Sequence, residues 1–312
     1  MRSRLGRLAL LTLGLAVRLP DARADGSRLV IDNDYLNFWQ SPSHREDRDY
    51  THGAEMSFYS PKVPGFASWL VRARDGGLDP NALIEVSVRQ QIFTPDWGGS
   101  RPHAGWLGAS ARVRRETWSV QREIGVEFGV TGPPSLAESA QKWFHHQFGF
   151  IPPPAWTSQV PFEPAFGVQY RSARQIVAHG TDGAFAIRGG PQWGGQLGTH
   201  VTGASAGFTT AFGLRPPAPW RGSLRGVSGL SGFAIAGARL DLVAWDSTLD
   251  GTMFHASPSI TKKPVVAELE VGLGAGHGST RLEWRVVKRS AEYVGEGHPH
   301  TYSSLALTIA GR

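Results

Sequence analysis

The chain of 312 residues contains no cysteine. That absence excludes disulfide staples, thiolate metal sites and a cysteine nucleophile. The apolar run from Leu8 to Val17 is too short to cross a bilayer as a helix. Neither His145-His146 nor His298-Pro299-His300 has the spacing of a helical zinc pair. Basic residues are not clustered with aromatics, so nucleic acid is not an expected partner.

What is present begins with an export signal. Arg2, Arg4 and Arg7 precede the apolar run, and Ala22-Arg23-Ala24 supplies a small-x-small cleavage site. Residues 1–24 are therefore expected to be a cleaved secretory peptide, leaving residues 25–312 as one domain. Cleavage would remove five arginines and one aspartate, taking the formal charge from +6 to about +2. Global charge then points to no particular partner.

Alternation with period two recurs along the mature chain, as expected of strands whose faces meet different media. Ile84, Val86, Val88 and Ile92 alternate with Glu85, Ser87, Arg89 and Gln91. Ile124, Val126, Phe128 and Val130 alternate with Glu123, Gly125, Glu127 and Gly129, and Val265 to Leu273 repeats the pattern. Leu282, Trp284 and Val286 add another strand, and Leu305, Leu307 and Ile309 a last one. Glycines and charges on the second face suit a watery lumen, and 11 tryptophans are available for interfacial girdles. The fold class expected is all-β, an antiparallel transmembrane β-barrel. A soluble all-β protein is the competing reading.

One segment breaks the pattern. Between Ser135 and Phe148 the apolar residues Leu136, Ala140, Trp143, Phe144 and Phe148 recur at helical spacing, with Ser135 and Glu138 as a capping box and Gly149 as the stop. A short amphipathic helix over 135–148 is predicted, with Glu138, Gln141 and His145 on its polar side.

Four sets of residues could carry chemistry. Asp32-Asn33-Asp34 offers hard oxygen ligands for calcium, or merely a turn. The charged run Arg45 to Asp49, ahead of Tyr50-Thr51-His52-Gly53, reads as a solvated loop. Arg101, held by Pro102, could grip a phosphate or carboxylate in bidentate fashion, or sit on the surface. His145 could act as a general base supported by Gln141, or be an ordinary polar-face histidine.

Taken in order, these fragments resemble the outer-membrane lipid A 3'-O-deacylase family. The resemblance rests on DNDYLNF at Asp32 to Phe38, EDRDYTHG at Glu46 to Gly53, FTPDW at Phe93 to Trp97 and SRPHAGWL at Ser100 to Leu107. It continues with GVTGP at Gly129 to Pro133, QKWFHHQFG at Gln141 to Gly149, AWTSQ at Ala155 to Gln159, LDGTMF at Leu249 to Phe254 and KKPVVAELEVGL at Lys262 to Leu273. It implies a barrel of twelve strands in the Gram-negative outer membrane that hydrolyses the 3'-acyloxyacyl ester of lipid A with Ca2+. The family's site residues fall on Asn33, Asp34, Thr51, Gln141 and His145, with Arg101 as a substrate contact. Asn33 and Asp34 are the implied calcium ligands, and lipopolysaccharide is the implied partner. His52, Ser100, His103 and Ala155 depart from the family pattern, and Arg312 replaces the aromatic that commonly ends such barrels.

Two alternatives compete with the enzyme so implied. An outer-membrane phospholipase would attack glycerophospholipid esters, and a non-catalytic barrel would serve as a pore. A pore requires none of Asn33, Asp34, Thr51, Gln141 and His145, and no convincing serine nucleophile motif favours the phospholipase.

Overall fold

The computed structural model describes residues 26–37, 47–63, 68–69, 79–95, 101–180, 184–224 and 227–310. The expected export segment, Ser100 and the start of the charged run lie outside these.

The alternating segments form thirteen strands of one antiparallel sheet: β1 (Gly26–Asn33), β2 (Asp49–Ser60), β3 (Ala82–Thr94), β4 (Ala104–Glu116), β5 (Val120–Thr131), β6 (Pro164–Arg174), β7 (Val177–Gly180), β8 (Phe185–Gly198), β9 (Val201–Leu214), β10 (Val227–Asp246), β11 (Val265–Gly278), β12 (Thr280–Arg289) and β13 (His300–Ile309). Neighbours in sequence pair along the sheet except β6 and β7, β1 pairs with β13, and β6 pairs with β8. The ring is thereby closed by twelve strands. β7 is a four-residue addition that pairs only with β8. Closure removes the unpaired edges that an open sheet would present to lipid.

The two faces divide as the alternation requires. Val86, Val88, Ile124, Val126, Phe128, Leu269, Val271, Leu273 and Leu282 are exposed on the outside. Glu85, Arg112, Arg114, Glu123, Glu270, Glu283 and Arg285 are buried in the lumen. An apolar exterior with a charged interior is the inverse of a soluble protein and suits a wall bathed in acyl chains. The final strand behaves alike, with Leu307 and Ile309 facing out.

Charged lumen groups are held in pairs. Arg112 donates to Glu85 at 2.6 Å, and Arg285 reaches Glu270 at 3.0 Å and Glu283 at 2.7 Å. At one end the connection between β9 and β10 folds inward. Trp220 is buried and donates to Glu116 at 3.1 Å, Arg221 ion-pairs with Glu268 and Glu270, and the Gly222 carbonyl accepts from Arg114 at 2.8 Å. Above this insertion lies a polar cavity of about 440 Å³.

The predicted helix is present as α1 (Ala137–Phe148), after a single 3-10 turn at Pro133–Ser135. The expected capping box does not form. Leu136, in a left-handed conformation, precedes the first turn, while the Ser135 hydroxyl donates to the Gly132 carbonyl at 2.6 Å and Glu138 pairs with Lys142 at 2.6 Å. After the proline turn the Ser135 hydroxyl meets only the first helical amide, accepting from Ala137 at 3.4 Å, and not the N3 amide that a capping box requires. Gly149 closes the helix in the left-handed region at φ 70°, as expected.

α1 lies against the outer wall of the barrel at the end opposite the inserted segment. Ile92, on the outward face of β3, packs with Ala137, Trp156 and Ala140. Gln90, two residues before, donates to the Ser135 carbonyl at 2.7 Å. Gly105 on β4 permits the close approach, because a Cβ there would collide with Ser135 and Ala137. The helix and the wall therefore enclose a cleft at the lipid side, outside the lumen.

Candidate active site

Strand alternation splits the Asp32-Asn33-Asp34 triplet. Arg28, Val30 and Asp32 line the lumen, where Asp32 accepts from the Tyr50 hydroxyl at 2.8 Å. Asn33, one residue on, belongs to the opposite face, beside His52 of β2, with 3.3 Å between its Nδ2 and the ring Nδ1. Its Oδ1 caps the next turn by accepting from the Tyr35 amide at 2.8 Å. Asp34 opens that turn and is 2 % exposed.

A register shift between Tyr50 and His52 interrupts the β2–β3 ladder. The extra residue is Thr51, whose hydroxyl is 2.6 Å from that of Thr94. Both are buried, and Thr94 shares the outward face of β3 with Ile92. A bulge re-aims a side chain in this way without breaking the barrel.

α1 brings the other half of the cleft. Gln141 and His145, one turn apart, meet the same carboxylate: Gln141 Nε2 donates to Asp47 Oδ2 at 2.5 Å and His145 Nε2 lies 2.7 Å from that oxygen. His145 Nδ1 is 2.5 Å from the Ile151 carbonyl. A carbonyl only accepts, so Nδ1 carries a proton and Nε2 is the nitrogen that can exchange one. The bond to Asp47 raises the pKa of His145 above the ordinary imidazole value, against the opposing effect of burial; the Ile151 carbonyl adds to the rise. Gln141 is oriented in turn by Trp156, whose indole donates to its Oε1 at 2.8 Å. Trp156 stacks on His103 with ring centroids 4.9 Å apart. Phe144, Phe148, Phe150 and Tyr35 form an aromatic group around the imidazole, with Phe150 5.7 Å from its centroid.

The reading of Arg45 to Asp49 as a solvated loop fails for the two aspartates it contains within the described residues. Asp47 is the meeting point of Gln141 and His145. Asp49 is buried, accepts from the Tyr293 hydroxyl at 3.0 Å and faces Arg101 at 3.8 Å. Specific donors hold each carboxylate, so neither needs bulk water. Asp47 and Trp156 are the candidate site residues that side-chain chemistry alone misses. Their only sequence signal is their place in the EDRDYTHG and AWTSQ stretches.

Asp34 Oδ2 accepts from the Arg48 amide at 3.4 Å, while its Oδ1 is buried with no hydrogen-bond partner. Burial raises the Asp34 pKa well above the ordinary carboxylate value, and the charge of Asp47 raises it further. A buried carboxylate oxygen left unpaired beside a second carboxylate is what a hard cation would satisfy. Calcium therefore fits the donor chemistry, with Asp34 and the neighbouring Asn33 as its protein side. Among the described residues no three His, Asp or Glu side chains converge, so carbonyl, amide and water oxygens would complete the shell.

Arg101 is not part of this group. Its side chain is fully buried, with the guanidinium 5.0 Å from the Phe93 ring centroid and Nη2 donating to the Thr248 hydroxyl at 3.3 Å. It ties the mouths of β2 and β4 to the turn after β10. Asn33, Asp34, Thr51, Gln141 and His145 are thus brought to one cleft between wall and helix, and Arg101 to the neighbouring interior.

Comparison with known proteins places the chain. The family model described as outer membrane protein LpxR matches residues 8–310. Among solved structures, LpxR from Salmonella typhimurium superposes with a TM-score of 0.71 at 17% identity, covering 91% of this chain and 99% of that one. At this identity the likeness shows the fold. The translocator domain of autotransporter NalP from Neisseria meningitidis, at TM-score 0.38 and 11% identity, covers 99% of this chain and 94% of that one. No curated protein sequence matches the chain.

Proposed function

The chain belongs to the outer membrane protein LpxR family, and from that premise we propose that it is a lipid A deacylase that hydrolyses the ester of the 3'-acyloxyacyl group in the outer leaflet. The observation that carries the proposal is the site's place on the lipid-facing side of the wall. His145 has one ring nitrogen fixed by the Ile151 carbonyl and the other directed at the Asp47 carboxylate. A substrate held by its acyl chains in the membrane can reach this cleft laterally. It need not enter the lumen.

Ester hydrolysis needs a base for water and stabilisation of the oxyanion. His145 Nε2 takes a proton from water as the water oxygen attacks the ester carbonyl carbon. The tetrahedral centre then collapses, the ester C–O bond breaks, and His145 returns the proton to the departing sugar oxygen. The products are a free fatty acid and a sugar hydroxyl. Nδ1–H stays on the Ile151 carbonyl throughout and keeps the ring in one orientation. Calcium bound at Asn33 and Asp34 would supply Lewis-acid polarisation of the ester carbonyl. Thr51 and Thr94 fix the bulge that shapes the wall, and Gln141 holds Asp47. Arg101 closes the barrel mouth with Asp49 and reaches substrate only if that pair opens.

The inserted segment around Trp220 and Arg221 supports the enzyme over the pore, since it occupies the lumen where ions would pass. The test is the lipid A mass spectrum of outer membranes from cells expressing the wild type beside His145→Ala. Loss of one acyloxyacyl group with the wild type, reduced 10²-fold or more in rate by the substitution, is expected. Intact lipid A with accumulating lysophospholipid would instead assign a phospholipase.

A further inference from the structure

Asp47 occupies the position that the attacking water needs. Its Oδ2 takes the Nε2 direction of His145 at 2.7 Å and receives the Gln141 amide as well, so in this arrangement the base has no free nitrogen. The next residue, Arg48, directs its amide to Asp34 Oδ2 at 3.4 Å, which sets Asp47 beside Asp34, where Oδ1 is buried and unpartnered. Among the described residues neither carboxylate forms an ion pair with a lysine or arginine side chain. The contrast with the lumen, where Glu270 meets Arg221 and Arg285, is plain.

We propose that Asp47 is a contested carboxylate: His145 and Gln141 hold it in the cation-free protein, and a divalent cation at Asp34 takes it as a further oxygen ligand, leaving Nε2 of His145 open to water. This rests on the proposed calcium site and adds a coupling to it. The cation and the His145–Gln141 pair compete for one group, so each weakens the other's hold by the same factor. Gln141 makes the competition testable without a change of charge.

The experiment is calcium titration by calorimetry on the full barrel in detergent, with far-UV circular dichroism reporting the intact sheet. It uses the wild type, Asp34→Asn, Asp47→Asn, Gln141→Leu and His145→Ala, and the last two again on the Asp47→Asn background. Asp47→Asn should weaken calcium binding about tenfold or more, the scale of a lost charged ligand contact. Gln141→Leu and His145→Ala should each tighten it severalfold in the wild-type background and change nothing on Asp47→Asn. That vanishing coupling separates competition for Asp47 from simple removal of a nearby positive charge. Unchanged affinity in Asp47→Asn, or equal tightening on both backgrounds, overturns the inference while leaving a calcium site at Asp34. Wild-type affinity in Asp34→Asn overturns the site and the inference together.

Discussion

The lumen and the cleft under α1 both bury carboxylates, and they treat them in opposite ways. In the lumen the carboxylates of the central network are matched by guanidinium: Glu85 by Arg112 and Arg114, Glu270 by Arg221 and Arg285, Glu283 by Arg281 and Arg285. In the cleft, Asp34 has backbone amide and a bare oxygen, and Asp47 has an imidazole and an amide. A neutralised charge network holds a wall together and has little left to offer a ligand. An unbalanced pair of carboxylates opposes folding locally and remains available to a cation.

The comparison predicts substitutions of opposite sign. Glu270→Ala would leave Arg221 only Glu268 and Arg285 only Glu283, and a loss of up to about 3 kcal/mol is expected from removing the carboxylate they share. Urea unfolding in micelles measures it, and an unchanged midpoint would mean that water in the lumen, not pairing, screens these charges. Deacylation at temperatures where the variant is folded should persist.

Asp34→Asn should stabilise the barrel in a chelator by about 1 kcal/mol, the scale of relieving one unsatisfied buried polar group. The sign follows from its raised carboxyl pKa. An acid whose folded pKa exceeds its unfolded one loses stability as pH rises between the two, and asparagine removes that loss. With calcium present the order should reverse, because only the wild type gains from binding. A variant that melts lower than wild type in both conditions would show that the orphaned oxygen is not a strain on the fold.

A third effect, confined to a pH window, concerns Glu296, in the loop between β12 and β13. Burial, with Asp49 and Glu292 adding their charges, takes its pKa from an ordinary 4.5 to about 7. Stability should therefore decline between about pH 4.5 and 7 on its account and stay level above. Glu296→Gln should match the wild type in melting temperature near pH 4 and exceed it near pH 8. A constant gap would remove Glu296 as the titrating group.

The wall was legible in the sequence because lipid and lumen impose a period of two, which Val86, Val88 and Glu85 or Leu282 and Glu283 display locally. α1 was legible by its spacing and by Gly149, although the capping box was not, since the turn through Pro133 and Pro134 decides where Ser135 points. Asn33, Asp34, Thr51, Gln141 and His145 were legible through a resemblance to a family, and the structure gathers them in one cleft. Arg101 carried the same signal and lies elsewhere, in an ion pair with Asp49. Its chemistry suits a phosphate and a carboxylate equally, and sequence does not say which partner is nearer.

By itself the sequence determined the faces of the strands, the absence of thiol chemistry and the existence of a helix that no barrel needs for closure. Only the tertiary structure decided that this helix covers the outer wall, that Asp32 and Asn33 stand on opposite sides of it, and that Asp47 meets a histidine 98 residues away. Periodicity is set by each strand's own surroundings and can be read locally. A carboxylate's partner is set by ring closure and helix docking, through contacts that no local pattern records.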